Sequence, residues 1–375
     1  MKILIVSPAH PLRGGIASLT ERLAQSLQTA GHEVEIISFS LQYPGFLFPG
    51  KTQFTDDPVP EGLRILPLIN SINPLNWLKT GMVLRKKQPD LVIARFWMPF
   101  FGPCLGTIFR FFSKKTTRRL LLVDNILPHE KRPGDRFFTQ FITSVCDGFV
   151  VMSRTVEAEI KAFSGTKPVI FAPHPIYDNY GEPMDKSEAR KLLGLPESAP
   201  IVLFFGFIRD YKGLDLLLEA MGDQRLKSLA PKLVIAGECY EDWGRYEQII
   251  AAQNIENQIV AHLDFIPSEK IRAYFSAADM VVQPYKTATQ SGISQIAFHF
   301  EKPMLVTNVG GLGEIVRDGI SGYVIEPKPA EIAGAMADFF EKNRSAELTD
   351  GVRHEKSRFS WGNLVEAIEK LSTEN

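Results

Sequence analysis

The sequence predicts an α/β protein built from two Rossmann-like, doubly wound domains, and three observations carry that prediction. Short aliphatic runs alternate with amphipathic stretches along nearly the whole chain, the pattern of parallel strands joined by crossover helices. The alternation pauses once, over 171–181, a stretch rich in Pro, His and Tyr, and then restarts. Each of the two series opens with a glycine-containing turn after an apolar strand. These are Arg13-Gly14-Gly15 and, about 195 residues on, Gly206-Phe207-Ile208-Arg209-Asp210-Tyr211-Lys212-Gly213.

In the first series the strands read as 2–6, 33–37, 91–94, 120–123 and 148–152. Helices fall near 16–29, 74–86, 102–112, 134–145 and 153–162. Ile16, Leu19, Leu23 and Leu27 recur at helical spacing, so the first helix has one face to bury. The second series gives strands at 201–205, 233–236, 259–263, 280–282, 304–307 and 323–325. Its helices fall near 186–194, 213–222, 242–253, 268–276, 292–301 and 329–342. A last helix covers 360–374, and its docking partner is not readable from sequence. The domains are therefore expected at 1–177 and 178–358, with 359–375 as a terminal helix. No internal repeat or low-complexity tract interrupts them.

With 375 residues, 45% of them hydrophobic and 23% charged, the chain has enough apolar surface for two cores. The apolar run 1–6 is too short for a signal-peptide core and reads as the first strand. No uncharged apolar run is long enough to span a membrane. Cys104, Cys146 and Cys239 are odd in number and widely spaced, which fits neither a disulfide framework nor a zinc site and favours a reducing cytoplasm. The net charge of −1 hides an asymmetry: residues 1–177 hold 21 Lys/Arg against 13 Asp/Glu, or +8, and the remainder is −9. The basic half should face something anionic.

A glycine turn between a strand and a helix presents unpaired backbone N–H groups at the positive helix end, which favours an anion. Two such turns, one per domain, suggest a phosphate-bearing ligand between two facing domains. There is no Asp-x-Asp in the chain, so a carboxylate-held Mg²⁺ or Mn²⁺ has no obvious ligands, and protein cations would have to do its work. Residues 7–19 lack Gly-x-Gly-x-x-Gly spacing, which argues against a dinucleotide dehydrogenase.

Gly206-x-x-Arg209-x-x-Lys212-Gly213, Gly237-Glu238, Phe265-Ile266, Ala278-Asp279 through Pro284, Lys302-Pro303 and Gly310-Gly311-Leu312-Gly313-Glu314-Ile315-Val316 recur in an order that resembles the C-terminal half of family 4 retaining glycosyltransferases. The N-terminal Gly14-Gly15 loop matches as well, so the resemblance covers nearly the whole chain. It implies the GT-B fold, two Rossmann-like domains facing each other across a cleft. It also implies transfer of a hexose from a nucleoside-diphosphate sugar, with retention and without metal or other cofactor. Lys212 and Arg209 are then expected to stabilise the charge that develops on the departing diphosphate. In the family the arginine usually lies closer to the preceding glycine; the plainer reading of Lys212 is a solvated lysine at a helix start.

The main departure lies at 288–303. The family places a pair of glutamates there for the donor sugar and the ribose, whereas counting back from Lys302-Pro303 finds Ala288 and Ile296. Ile293, Ile296, Ala297 and Phe300 form a helical stripe, so Ile296 reads as core. Gln290, Ser291, Ser294 and Gln295 are the polar groups left to meet the donor. The N–H groups opening that helix at Ser291-Gly292-Ile293 are candidates for the second phosphate, the alternative being a simple N-cap by Gln290 or Ser291. Glu314 opens a short helix, where a carboxylate is favoured with or without a ligand. Ile266 is expected to flank the base through its backbone.

In the N-terminal half, Asp124 occupies the strand-end position where the family commonly has histidine, and His129, five residues on, is the candidate catalytic residue in its stead. His10 precedes the first glycine turn and is a weaker candidate. The aromatic run 96–112, followed by Lys114, Lys115, Arg118 and Arg119, is either a helix lying on an anionic membrane surface or a buried crossover helix with a basic loop.

Three functions remain: sugar transfer onto a polysaccharide or lipid-linked acceptor, epimerisation or hydrolysis of a nucleotide sugar, and non-catalytic nucleotide-sugar binding. The expected setting is cytoplasmic, with peripheral contact at the inner face of the plasma membrane and no nucleic-acid partner.

Overall fold

The computed structural model describes residues 1–44, 52–55, 58–127, 133–288 and 291–373. They form two compact units, Met1–Pro175 together with Ser360–Asn375, and Ile176–Phe359. The chain thus passes between units at 175/176, two residues before the expected 177/178, and returns at 359/360.

The first unit is a seven-stranded parallel sheet of β1 (Lys2–Val6), β2 (Glu33–Leu41), β3 (Arg64–Asn70), β4 (Leu91–Phe96), β5 (Arg118–Val123), β6 (Gly148–Val151) and β7 (Val169–Phe171), in the order β3-β2-β1-β4-β5-β6-β7. Strands β1, β4 and β6 are buried or nearly so along their whole length, which is why they read as unbroken aliphatic runs. The sequence reading missed β3 and β7. Both are edge strands; β3 is mostly half-exposed and contains Pro67, and β7 has three residues, the last of which falls where the strand–helix alternation pauses.

Helices α1 (Gly15–Thr29), α2 (Pro74–Arg85), α3 (Gly102–Phe109), α4 (Asp135–Thr143) and α5 (Arg154–Ser164) join the strands. Leu19, Leu23 and Leu27 of α1 are at most 1% exposed, as the helical spacing requires. The last helix, residues Trp361–Thr373, closes this unit: Leu371 O accepts from Arg118 Nε at 2.9 Å, Glu369 meets His32 at 2.9 Å, and Arg22 lies over the Trp361 ring.

In the second unit α6 (Lys186–Leu192) leads into a six-stranded parallel sheet. Its strands are β8 (Ile201–Phe205), β9 (Lys232–Ala236), β10 (Ile259–His262), β11 (Met280–Gln283), β12 (Met304–Thr307) and β13 (Gly322–Ile325), in the order β10-β9-β8-β11-β12-β13. The helices that matter for the site are α7 (Leu214–Met221) after β8, α8 (Gln224–Leu229), α9 (Gly244–Gln253) after β9, α10 (Ser268–Ala277), α11 (Gly292–His299) after β11 and the four-residue α12 (Leu312–Ile315) after β12. Beyond β13 come α13 (Pro329–Glu341) and α14 (Ser345–Glu355), and Trp361–Thr373 is α15. Sequence periodicity missed α8 and α14, of which α8 buries only Leu226 and α14 only Leu348, Val352 and Glu355.

In each sheet the strand order reverses once, between β1 and β4 and between β8 and β11. The crevice outside the carboxyl ends at such a reversal is where open α/β sheets bind ligands. Both glycine turns lie there, one after β1 and one after β8.

Candidate functional site

The loop leaving β8 doubles back over its own strand end. Gly206 takes φ +104°, and a Cβ built on it would stand 3.1 Å from Lys212 Nζ and 3.4 Å from Ile293 Cδ1. The ammonium of Lys212 therefore lies against the bare glycine, beside the first turn of α11. Gly213, at φ +67°, opens α7, and a Cβ there would collide with the Pro284 carbonyl. Only glycine lets this loop adopt its path and approach the β11–α11 connection so closely.

The loop is pinned from outside by four charges. Asp210 accepts from Lys286 Nζ at 2.9 Å and Arg245 at 2.8 Å, Asp215 accepts from the same two cations at 2.7 and 2.9 Å, and the Tyr211 carbonyl accepts from Lys286 N at 2.7 Å. The hydrogen bonds from Lys286 and Arg245 hold Asp210 below its usual carboxylate range. Lys286 and Arg245 are thus occupied by carboxylates, and among the described residues Lys212 and Arg209 are not.

Lys212 is only 8% exposed, and among the described residues its side chain makes no hydrogen bond or ion pair. Besides Gly206, it faces the Tyr285 ring, whose centroid is 5.3 Å from Nζ. Burial, followed by the charge of Arg209, lowers its pKa. Arg209 is half-buried with its guanidinium over the Tyr240 ring at 4.9 Å, and it too has no carboxylate partner among the described residues. Tyr240 is itself held by its hydroxyl, which donates to Glu238 at 3.1 Å, and by stacking on Phe207. Two cations close enough to repel one another, one of them buried, give this corner of the unit a potential that favours an anion.

Helix α11 starts beside this pair. Ser291 is its N-cap by position, but its hydroxyl does not cap the helix; it pairs with the Tyr285 hydroxyl at 3.3 Å, and burial pushes the Tyr285 phenol up to about 12. The simple-cap reading of Ser291 is therefore corrected: the tyrosine hydroxyl takes the oxygen that would have served the helix. Gly292 lies close under Tyr177, 3% exposed, whose ring would stand 3.0 Å from a Cβ built on it.

Ile296 and Ala288 are buried, in keeping with a core role. Gln295 is fully buried and among the described residues neither of its amide atoms is hydrogen-bonded; Gln283, whose Oε1 accepts from Ser294 Oγ at 2.9 Å, likewise leaves its own amide nitrogen unpaired there. Ile266 is half-buried after β10. Glu314 lies in α12, where its backbone carbonyl accepts from Arg358 at 3.2 Å. Gln290 lies outside the described residues, as does His129.

At the carboxyl edge of the first unit, Gly14 is the exposed N-cap of α1 at φ +111°, with open space where a Cβ would be, and Gly15 is exposed beside it. His10 is half-buried, and its backbone N–H donates to Glu21 at 2.7 Å. Asp124 is committed to Arg95, which donates to its two oxygens at 2.6 and 2.8 Å and to the Ile16 carbonyl at 3.2 Å. His174 is buried beside this pair, and burial together with the Arg95 charge lowers its pKa to about 4, so it is neutral at physiological pH. The cavity behind Arg95 is about 10 Å³, room for one water at most. Among the described residues no cluster of His, Cys, Asp and Glu is arranged to hold a metal ion.

Sequence reasoning missed Arg95, His174, Tyr177, Tyr240, Tyr285 and the Lys286–Arg245 pins. Arg95 alone carried a signal, a cation inside the apolar run 91–96. The aromatic run 96–112 is corrected as a surface: Phe101, Cys104, Leu105, Ile108 and Phe109 are wholly buried, so α3 is a packed crossover helix.

Two doubly wound parallel sheets, each with a glycine turn at its reversal point, define the two-domain α/β class to which GT-B glycosyltransferases belong. Two family models divide almost the whole chain between them, Glycosyltransferase Family 4 over residues 13–177 and Glycosyl transferases group 1 over 185–353, and the chain belongs to this glycosyltransferase family. Among curated proteins it is 30% identical over 195 residues to a D-inositol 3-phosphate glycosyltransferase of Geodermatophilus obscurus, covering 50% of this chain and 43% of the relative. The matches to the first such relatives span about half of their length, 43 to 57%. Among solved structures it is similar to sucrose-phosphate synthase from Thermosynechococcus elongatus, with TM-score 0.77 and 18% identity over 99% of this chain and 98% of that one. It is also similar to Anabaena HepE in complex with UDP, with TM-score 0.74 and 17% identity over the whole of both chains. At these identities the likeness is one of fold.

Proposed function

We propose that the protein transfers a hexose from a nucleoside-diphosphate sugar to a polysaccharide or lipid-linked acceptor, with retention and without a metal ion. The observation that carries this reading is the buried Lys212 ammonium, with Arg209 close by and no protein carboxylate for either among the described residues. As the bond from the anomeric carbon to the diphosphate oxygen breaks, its electron pair leaves on the diphosphate, and Lys212 and Arg209 stabilise that charge in a site that excludes water. The acceptor hydroxyl oxygen forms the new bond on the same face, and its proton passes to the departing diphosphate.

The first turn of α11, Gly292 and Ile293, supplies backbone N–H groups to the phosphate, and Gln295 meets the donor through its amide. Ser291, Gln290, Glu314, Ile266, Gly14 and Gly15 complete the proposed donor contacts, with His129 on the acceptor side. UDP or UDP-glucose in the solved HepE complexes supports a nucleotide-sugar donor. The proposed setting is the cytoplasmic side of a membrane, contacted peripherally; among the described residues no helix is long and apolar enough to cross one.

A second reading, nucleotide-sugar binding without transfer, is favoured by one observation: Ala288 and Ile296 put no carboxylate near the donor sugar. Thermal stabilisation by a panel of nucleoside diphosphates and their sugar conjugates, in EDTA, tests the site. A ligand at 100 times its Kd adds about 2.7 kcal/mol, and one nucleotide should stabilise the wild type but hardly Lys212→Ala. No stabilisation by any of them refutes the nucleotide site, and stabilisation without sugar transfer to any acceptor selects the second reading.

A further inference from the structure

We infer that helix α2 of the first unit is a docking surface for an anionic lipid bilayer, an inference that gives the membrane contact of the proposed function a definite place. The 12-residue helix is about 18 Å long. Thr80, Gly81 and Leu84 are buried, and Trp77 is held by its indole N–H on the Asn70 carbonyl at 2.7 Å. At roughly 100° per residue these four share one side of the helix. The opposite side exposes Leu75 at 76%, Met82 at 52%, Leu78 and Val83 at 42% each, with Ile72 at 49% just before the helix. An apolar stripe of this size left in water on a folded domain marks a contact surface.

The same exposed side carries Lys79, Arg85 and Lys86, none of which forms an ion pair among the described residues. No Asp or Glu occurs between Glu61 and Asp90. Three cations of this helix therefore lie among five large apolar side chains, and the helix itself carries no anion. A solvated helix face mixes both signs of charge. A second copy packed face to face would set these cations against their own kind. A bilayer rich in anionic lipid satisfies both halves, with the leucines and methionine entering the acyl boundary and the cations meeting phosphates.

The test is co-sedimentation of the full chain with vesicles of phosphatidylcholine alone or with about 30% phosphatidylglycerol. The wild type should bind the anionic vesicles about tenfold more tightly than the neutral ones. Leu75→Ser/Met82→Ser and Lys79→Glu/Arg85→Glu/Lys86→Glu should each lose about tenfold or more of that affinity. Both variants change only exposed side chains, and an unchanged melting temperature verifies their folding. Failure of the wild type to bind anionic vesicles, or variants that bind like it, overturns the inference. So does a self-association lost in the serine variant without vesicle binding, which would assign the face to a second copy. Nucleotide stabilisation measured in the same samples keeps the two readings apart: vesicle binding without it condemns the Lys212 site alone, and the converse condemns α2 alone.

Discussion

Arg95 and Lys212 are both buried cations at the carboxyl edge of a parallel sheet, next to the point where its strand order reverses, yet their surroundings differ in one respect. Arg95 meets Asp124 through two hydrogen bonds of 2.6 and 2.8 Å, whereas Lys212 meets no carboxylate among the described residues. Taking a charge out of water is tolerated only when a counter-charge comes with it. In the first unit the counter-charge is covalently part of the chain, so the pair is structure. In the second no such counter-charge is present among the described residues, and the proposed function turns on that difference. The Asp124 carboxylate is held on both of its oxygens by the Arg95 guanidinium.

The comparison breaks most visibly at Arg95. Arg95→Met strands the Asp124 carboxylate and should lower stability by about 3–5 kcal/mol, while Arg95→Met/Asp124→Leu should recover most of it. Urea unfolding of the three proteins checks this, and equal losses in the single and double variants would show that the pair is not coupled.

Next in size is the acid limb of the stability profile. His174 has its folded pKa lowered from about 6.5 to about 4, so the unfolded chain binds its proton first. The stability it contributes is complete above pH 6.5 and drains away as pH falls towards 4, by about 3 kcal/mol. His174→Gln should flatten that limb in melts taken between those pH values.

Lys212 should behave in the reverse manner to Arg95. Lys212→Met should raise the stability of the ligand-free protein by about 1 kcal/mol or more at pH 7, because an unmatched buried charge is removed, while donor binding is lost. The folded pKa is lowered, so the unfolded chain keeps this proton longer. Wild-type stability should therefore climb as pH rises towards the ordinary lysine value, and the advantage of the variant should shrink. An advantage that stays constant with pH would mean that Lys212 is not titrating as a buried amine.

The smallest effect sharpens the role of Gln295. With neither amide atom paired, Gln295→Leu should stabilise the ligand-free protein by about 1 kcal/mol. If the amide meets the sugar, affinity for a nucleotide sugar should fall while affinity for the bare nucleoside diphosphate holds, which calorimetry with both ligands separates.

The second site was largely legible in the sequence because it is local. Gly206, Lys212 and Gly213 lie within one turn of chain, and the glycine spacing encodes the loop directly. What holds the loop was not legible: Lys286 and Arg245 reach it from 71 and 30 residues away along the chain from Asp215, and only folding makes them neighbours. Arg95 and Asp124 are 29 residues apart for the same reason. Strands β3 and β7 escaped detection because an edge strand lacks the two buried faces that make a strand read as an aliphatic run. Of the two readings open for the aromatic run at 96–112, the structure shows the buried crossover helix, whose hydrophobicity is what the interior uses. In α2 apolar residues occur on both faces, so periodicity could not tell which one the fold would cover.

Because α15 completes the unit that begins at Met1, the first 175 residues leave the ribosome without one of their own layers. Trp361, Leu364, Val365, Ile368 and Leu371, all buried in the finished unit, are translated only after the entire second unit. Synthesis therefore proceeds out of step with assembly: the second unit can condense as a contiguous stretch, while the first waits for a segment made almost two hundred residues later. A nonsense mutation near codon 360 would leave the second unit entire and still strip the first of its closing helix.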